Sequence, residues 1–341
     1  MNTATVISPD ASAPILEIDR LQLVFPVYGG QVNALNQVSL TVNAGEIVGV
    51  VGESGSGKSV TAMMAMRLLP PEGFSITGGQ LRMLGVDVVN ASEKQMRTLR
   101  GARVAMIFQE PMNALNPTRK IGRQMCEVIC LHQALSYQQA RVKAIGLLRE
   151  MQIADAEQVM NRYPFELSGG MRQRVLIAMA FSCEPELIIA DEPTTALDVT
   201  VQRQVLRLLQ QKAQASGTAV LFITHDMAVV SQLCDRVYVM YAGQVIESGT
   251  TDEVIGHPAH PYSIGLLQAA PENAAPRSML KAIPGTVPNL ADLPPGCSFC
   301  GRCQHVDAQC SVSPSLMALN DNGHQQVACW HPQQAKKEPT S

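Results

Sequence analysis

The sequence predicts an α/β fold built on a mainly parallel sheet, and three observations carry that prediction. Short apolar runs rich in β-branched residues alternate with helical patterns from Ile15 to about Gly256. These runs are apolar throughout rather than alternating, as strands covered on both faces should be. One of them, Ile47–Val51, leads into a glycine-rich loop that opens a helix. The composition supports the prediction. A chain of 341 residues with 46% hydrophobic and 16% charged positions can build a large core plus an appendage, which excludes wholesale disorder. Its net charge of −3 gives no global electrostatic case for nucleic-acid binding, so no nucleic-acid partner is expected. No apolar run approaches the roughly 18–20 residues that span a bilayer, so any membrane role should come through a partner.

In chain order, residues 1–13 read as a flexible polar leader without the layout of a secretory signal, and the chain is expected in the cytoplasm. The clearest strands are Ile47–Val51, Leu187–Ala190, Ala219–Thr224 and Val237–Tyr241. Helices are expected at Ser59–Leu69 and at Val201–Gln214, the latter with Val205, Leu206, Leu208 and Leu209 on its apolar side. The stretch from about 91 to 181 reads as a helical insertion within a unit spanning 14–256. The texture changes near 257: His257–Pro288 holds six prolines, and a cysteine-rich extension follows to 341. Four of the nine cysteines are scattered (Cys126, Cys130, Cys183, Cys234) and read as small buried hydrophobes. Five crowd the tail: Cys297, Cys300, Cys303, Cys310 and Cys329. In a reducing compartment such a crowd points to a metal site rather than to disulfides.

The strongest local signal is Gly52-Glu53-Ser54-Gly55-Ser56-Gly57-Lys58-Ser59, which fits G-x-x-x-x-G-K-[ST] between a strand and a helix. Glycines allow backbone conformations that turn successive N–H groups inward around phosphate oxygens, and the following helix adds its positive end. Lys58 should reach the β- and γ-phosphates, and the Ser59 hydroxyl should ligate Mg²⁺. A second signal is Leu187–Ala190 followed by Asp191 and Glu192. A buried strand that ends in acids aims them at the crevice where open α/β sheets bind ligands. Asp191 is placed for the Mg²⁺ shell, and Glu192 is the candidate base for an attacking water.

Leu167-Ser168-Gly169-Gly170-Met171 resembles the LSGGQ signature of ATP-binding-cassette ATPases, departing at Met171. Ordered companions share the resemblance. Gln109 after Val104–Phe108 looks like the Q-loop glutamine, Ala196-Leu197-Asp198 like the D-loop, and His225 after Ala219–Thr224 like the switch histidine. Tyr28 resembles the adenine-stacking aromatic. The resemblance covers about 15–256 and implies a phosphate-loop ATPase fold. In it Ser168, Gly169, Gly170 and Asp198 would contact ATP held by another subunit's phosphate loop. Gln109 would join the Mg²⁺ shell and link the nucleotide to the insertion, while His225 would orient Glu192 and water.

The tail narrows the resemblance. His257-Pro258-Ala259-His260-Pro261-Tyr262, Leu266-Leu267, Pro284-Gly285-Thr286-Val287-Pro288 and then the cysteines look like the C-terminal extension of oligopeptide and dipeptide importer ATPases. Across Arg100–Pro117 and Tyr163–Thr200 the text resembles the D-type ATPase subunit of D,D-dipeptide importers. Such importers take up peptides by hydrolysing ATP; general dipeptides, oligopeptides and nickel are other cargoes of the same subfamily. The implied partners are a second ATPase subunit (heterodimer, with a homodimer as alternative), two transmembrane permease subunits and an external peptide-binding protein. The implied location is the cytoplasmic face of the inner membrane. Members of this type carry cysteines at positions like 297, 303, 310 and 329, in some holding a 4Fe-4S cluster. Thiolates suit iron–sulfur and zinc alike, and Cys297-x₂-Cys300 is also a zinc-knuckle spacing, so Cys300 stands as an alternative ligand. A repair- or translation-type cassette ATPase would carry paired cassettes or long coiled coils, and an exporter is often fused to membrane spans. Neither feature is in the sequence.

Overall fold

The computed structural model describes residues 13–110, 114–194, 197–269, 282–319 and 324–333. Nearly all of the expected leader, Ala196 of the D-loop resemblance, and Pro271 and Pro276 of the proline-rich stretch lie outside them. Twelve strands occur among the described residues: β1 (Leu16–Val27), β2 (Gly30–Val42), β3 (Ile47–Val51), β4 (Ser75–Met83), β5 (Val86–Asp87), β6 (Val104–Ile107), β7 (Leu187–Asp191), β8 (Ala219–Thr224), β9 (Arg236–Tyr241), β10 (Gln244–Thr250), β11 (Met317–Ala318) and β12 (Gln326–Val327). The α-helices among the described residues are α1 (Lys58–Ala65), α2 (Glu93–Leu99), α3 (Ile121–His132), α4 (Tyr137–Glu150), α5 (Ala156–Val159), α6 (Gly169–Ala180), α7 (Val199–Ser216), α8 (Met227–Leu233), α9 (Thr251–Gly256) and α10 (Pro261–Ala269).

The principal sheet has the order β11-β12-β10-β9-β3-β8-β7-β6. Strands β6, β7, β8, β3 and β9 are parallel, and β10, β12 and β11 extend the sheet antiparallel. Its parallel strands bury both faces. Val48 and Val50 of β3, Leu187 and Ile189 of β7, and Leu221 and Ile223 of β8 pack toward a second, antiparallel sheet, β2-β1-β4-β5, and toward α1. Ile47, Val51, Ile188, Ala190, Val220 and Phe222 face the opposite way, onto α3, α4, α6, α7 and α8. That two-sided burial is why these strands read as unbroken apolar runs.

The principal sheet is mainly parallel, as expected, and an antiparallel sheet that the sequence did not predict flanks it. Three expectations need correction. The 91–181 stretch is not helical throughout: β6 pairs in parallel with β7 and forms the sheet edge before α3 begins at Ile121. Helix α1 stops at Ala65, well short of Leu69. Arg67 takes φ 50°, the Leu68 N–H bonds back to the Met63 carbonyl, and Pro70 follows. Helix α7 runs longer than expected because both ends are capped. Asp198 accepts from the N–H groups of Thr200 and Val201, and Gly217 closes the helix at φ 67°.

The tail is built into the core. Strand β12 pairs with β10, Tyr262 and Phe299 join the buried cluster, and the fully buried Glu247 carboxylate accepts from the Ala259 and His260 N–H groups and the Gln325 amide.

Candidate nucleotide site

The register of the parallel strands assembles the site. Val51 pairs with Thr224, Asp191 with Ile223, and Ile107 with Ala190. Gly52, Glu192, His225 and Gln109 therefore emerge past one edge of the sheet, at the C-terminal ends of β3, β7, β8 and β6.

The loop 52–59 is tightly held. A side chain at Gly52 would place Cβ 2.1 Å from the Met240 carbonyl oxygen, so only glycine fits there. Gly57, at φ 101°, precedes α1 and lies against Ala34 of β2. Lys58 is buried. Its ammonium donates to the carbonyls of Gly52 (2.7 Å) and Glu53 (2.9 Å), which places it inside the cradle. Burial holds Lys58 below the usual lysine range, against the fields of Glu192, Asp191 and Glu53. Ser59 Oγ donates to Asp191 Oδ1 at 3.0 Å, joining the loop to β7. Burial raises the Asp191 carboxyl above the usual range, and the Ser59 hydrogen bond opposes that shift. An oxygen pair with a carboxylate member suits a hard divalent cation, so these two residues fit Mg²⁺.

Glu192 occupies the left-handed region at φ 44°, a strained backbone for a non-glycine residue of the kind that collects at functional sites. Its N–H bonds to the Ile223 carbonyl, and Oε2 accepts from Gln109 Nε2 at 3.2 Å and lies 3.3 Å from His225 Nδ1. One carboxylate oxygen thus gathers three of the residues the sequence singled out.

The signature stands apart from this cluster. Ser168 caps α6 through its hydroxyl and the Met171 N–H, and Gly169 and Gly170 form the first turn. A Cβ on Gly170 would lie 2.5 Å from Val201 Cγ1, so this glycine lets α6 approach α7 closely. Asp198 spends its carboxylate on the α7 cap. Tyr28 sits fully exposed beside the β1–β2 turn.

In the tail, Cys297, Cys300, Cys303, Cys310 and Cys329 line one small cavity with Phe299 and Trp330. Burial pushes the Cys297 thiol up to about 11 and raises Cys303 and Cys329 as well. Thiols converging on one hollow, with His305 and His331 also on its wall, are a soft donor set, so the residues fit an iron–sulfur cluster or zinc. Sequence reasoning missed two neighbours, Asp307 and His331. Their ligand atoms and Cys310 Sγ all lie within 4.8 Å of one another. It also missed the roles of Tyr262 and Arg302, which reach the phosphate loop from the tail. Tyr262 lies in a run read only as a family trait, and Arg302 sits unmarked between two cysteines.

A probable D,D-dipeptide transport ATP-binding protein, DdpD, of Escherichia coli strain K12 is 69% identical over 321 residues, covering 94% of this chain and 98% of the relative. This chain belongs to the ABC transporter ATP-binding proteins. The ABC transporter family model matches residues 35–195, and that of the oligopeptide/dipeptide transporter C-terminal region matches 246–310. The oligopeptide transport ATP-binding protein OppD of Salmonella typhimurium is 45% identical, covering 92% of this chain and 93% of the relative. The dimeric structure of MJ0796, a bacterial ABC transporter cassette, superposes with TM-score 0.62 at 25% identity, covering 69% of this chain and 98% of that one. This ABC protein therefore has the cassette fold, and ATP hydrolysis is the activity of its family. Among its described residues no helix is long and apolar enough to cross a membrane.

Proposed function

We propose that this chain is the ATP-hydrolysing subunit of an importer for D,D-dipeptides, bound peripherally at the cytoplasmic face of the inner membrane. The observation that carries the chemistry is the convergence of Gln109 and His225 on Glu192 Oε2 beside the Lys58–Ser59–Asp191 group. The cargo reading rests on the extensive likeness to DdpD.

The loop 52–59 cradles the phosphates, and Lys58 leaves its two loop carbonyls to meet them. Ser59 and Asp191, with Gln109, would hold Mg²⁺, which would supply screening of the phosphate charge. Glu192 accepts the proton of the attacking water. His225 orients that carboxylate, and Gln109 senses the site on behalf of helices α3–α5. Ser168, Gly169, Gly170 and Asp198 complete the site of a second ATPase subunit, so hydrolysis needs a partner. Tyr28 stacks on adenine. Leu131, Tyr137 and Val142 on α3 and α4 are exposed apolar residues suited to a permease subunit. Two permease subunits and an external binding protein complete the assembly. The division at 14–256 and 257–341 separates the cassette from an extension in which Cys297, Cys303, Cys310 and Cys329 would hold a 4Fe-4S cluster. The cluster would serve to fix the fold of the extension.

The test is ATP turnover by the purified chain with and without its partner subunits. Strong stimulation by the partners is expected. Full turnover by the chain as a monomer would contradict a composite site.

A further inference from the structure

Among the described residues, two tail side chains hydrogen-bond the phosphate loop at the same residue, Glu53. Tyr262, at the start of α10, is fully buried, and its hydroxyl oxygen accepts the Glu53 backbone N–H at 2.8 Å. Arg302 lies in the short turn between Cys300 and Cys303. Its guanidinium donates from Nη1 to Glu53 Oε2 at 2.7 Å and from Nη2 to Oε1 at 3.1 Å. This is a two-pronged pair in which the arginine side chain is only 6% exposed. The guanidinium is itself fixed from behind. Nε donates to the Pro284 carbonyl at 2.8 Å, Nη1 reaches the Tyr241 hydroxyl at 3.4 Å, and the plane lies near the Tyr241 and Phe299 rings.

We propose that Arg302 is a positioning residue of the nucleotide site: it neutralises Glu53 and anchors the start of the phosphate loop to the tail. The proposal rests on the nucleotide reading above. Glu53 places a carboxylate on a loop that must receive a polyphosphate. Its field reaches Lys58, the cation expected to meet the phosphates. An unpaired carboxylate there opposes phosphate binding; a paired one does not. The backbone carbonyl of the same residue holds the Lys58 ammonium. The tail therefore fixes both the charge and the position of the residue that Lys58 leaves when phosphates arrive. Since Arg302 lies between two thiols of the cavity, anything that reorganises the cysteine turn acts on nucleotide affinity through this pair.

The test is ATP affinity of the full-length chain, by titration with a fluorescent ATP analogue, for the wild type, Arg302→Met and Arg302→Met combined with Glu53→Gln. Arg302→Met should weaken binding about tenfold, the scale of one partly screened charge interaction. Adding Glu53→Gln should restore most of that loss, a rescue that a merely structural role of Arg302 would not give. Unchanged affinity in Arg302→Met, or a double variant as weak as the single one, overturns the proposal. Should Arg302→Met fail to fold, Arg302→Lys with Glu53→Gln keeps a cation in the site and should bind at least as tightly as the wild type; weaker binding overturns the proposal. A wild-type chain that binds no ATP would instead remove the nucleotide reading itself.

Discussion

The Ser59 hydroxyl donates to Asp191 Oδ1 across 3.0 Å, joining residues 132 positions apart in the chain. This contact ties the first turn of α1 to the end of β7 and presents two hard oxygens side by side. In the proposed site that pair receives Mg²⁺. Asp191→Asn removes the charge and keeps the shape. It should raise the Mg²⁺ concentration required for half-maximal ATP binding by about tenfold or more, because a hard cation prefers a carboxylate to an amide oxygen. A magnesium titration of ATP binding checks this; an unchanged requirement would remove Asp191 from the cation shell.

Glu192 and Lys58 should fail in different ways. Glu192→Gln keeps a hydrogen-bonding group for Gln109 and His225 but cannot accept a proton. It should retain ATP binding and lose turnover by at least roughly a hundredfold. Lys58→Ala should lose binding itself, since truncating a charged partner costs about 2–5 kcal/mol. Paired measurements of affinity and turnover distinguish the two, and full turnover in Glu192→Gln would end its role as base.

The tail thiols make a separable prediction. Anaerobically purified protein should be brown and contain acid-labile sulfide. Cys310→Ser should lose both and unfold at lower temperature, because a bound cluster stabilises the fold that holds it. Cys300→Ser should keep both. A colourless, zinc-loaded protein would contradict the cluster and favour a set including Asp307 and His331.

Acid should weaken the fold through His260. Full burial lowers its imidazole to about 3, while its Nδ1 accepts the Tyr262 N–H. The unfolded chain takes up a proton near pH 6.5 that the folded chain refuses. The stability due to the neutral ring is present above that pH and is lost as pH falls toward 3. At pH 5 the loss is about 2 kcal/mol. His260→Gln keeps an acceptor but does not titrate. Urea unfolding at pH 7 and pH 5 should show a drop smaller in this variant by about that amount; equal drops would contradict the assignment.

The sequence made the cassette legible where chemistry demands particular residues. The glycines of 52–57, Lys58, Asp191 and Glu192 are short-range patterns tied to buried apolar strands, and both kinds of signal survive in one dimension. Met171 departs from the signature without disturbing the Ser168 cap, because its contribution there is a backbone N–H. The antiparallel sheet was not legible: β1 and β2 are held by each other's register, which includes shifts between Ile18 and Val24. Nor was β6 separable from the helices after it, since a strand of four residues at a sheet edge carries little periodicity. The contacts from Tyr262 and Arg302 to Glu53 join residues more than 200 positions apart and follow no spacing rule.

The most direct measurement is uptake of labelled D-alanyl-D-alanine by intact cells whose only copy of this chain is either the wild type or Glu192→Gln. Loss of that uptake in the variant, with ordinary L-dipeptide uptake retained, is the predicted result. Undiminished D-alanyl-D-alanine uptake in the variant would contradict the account.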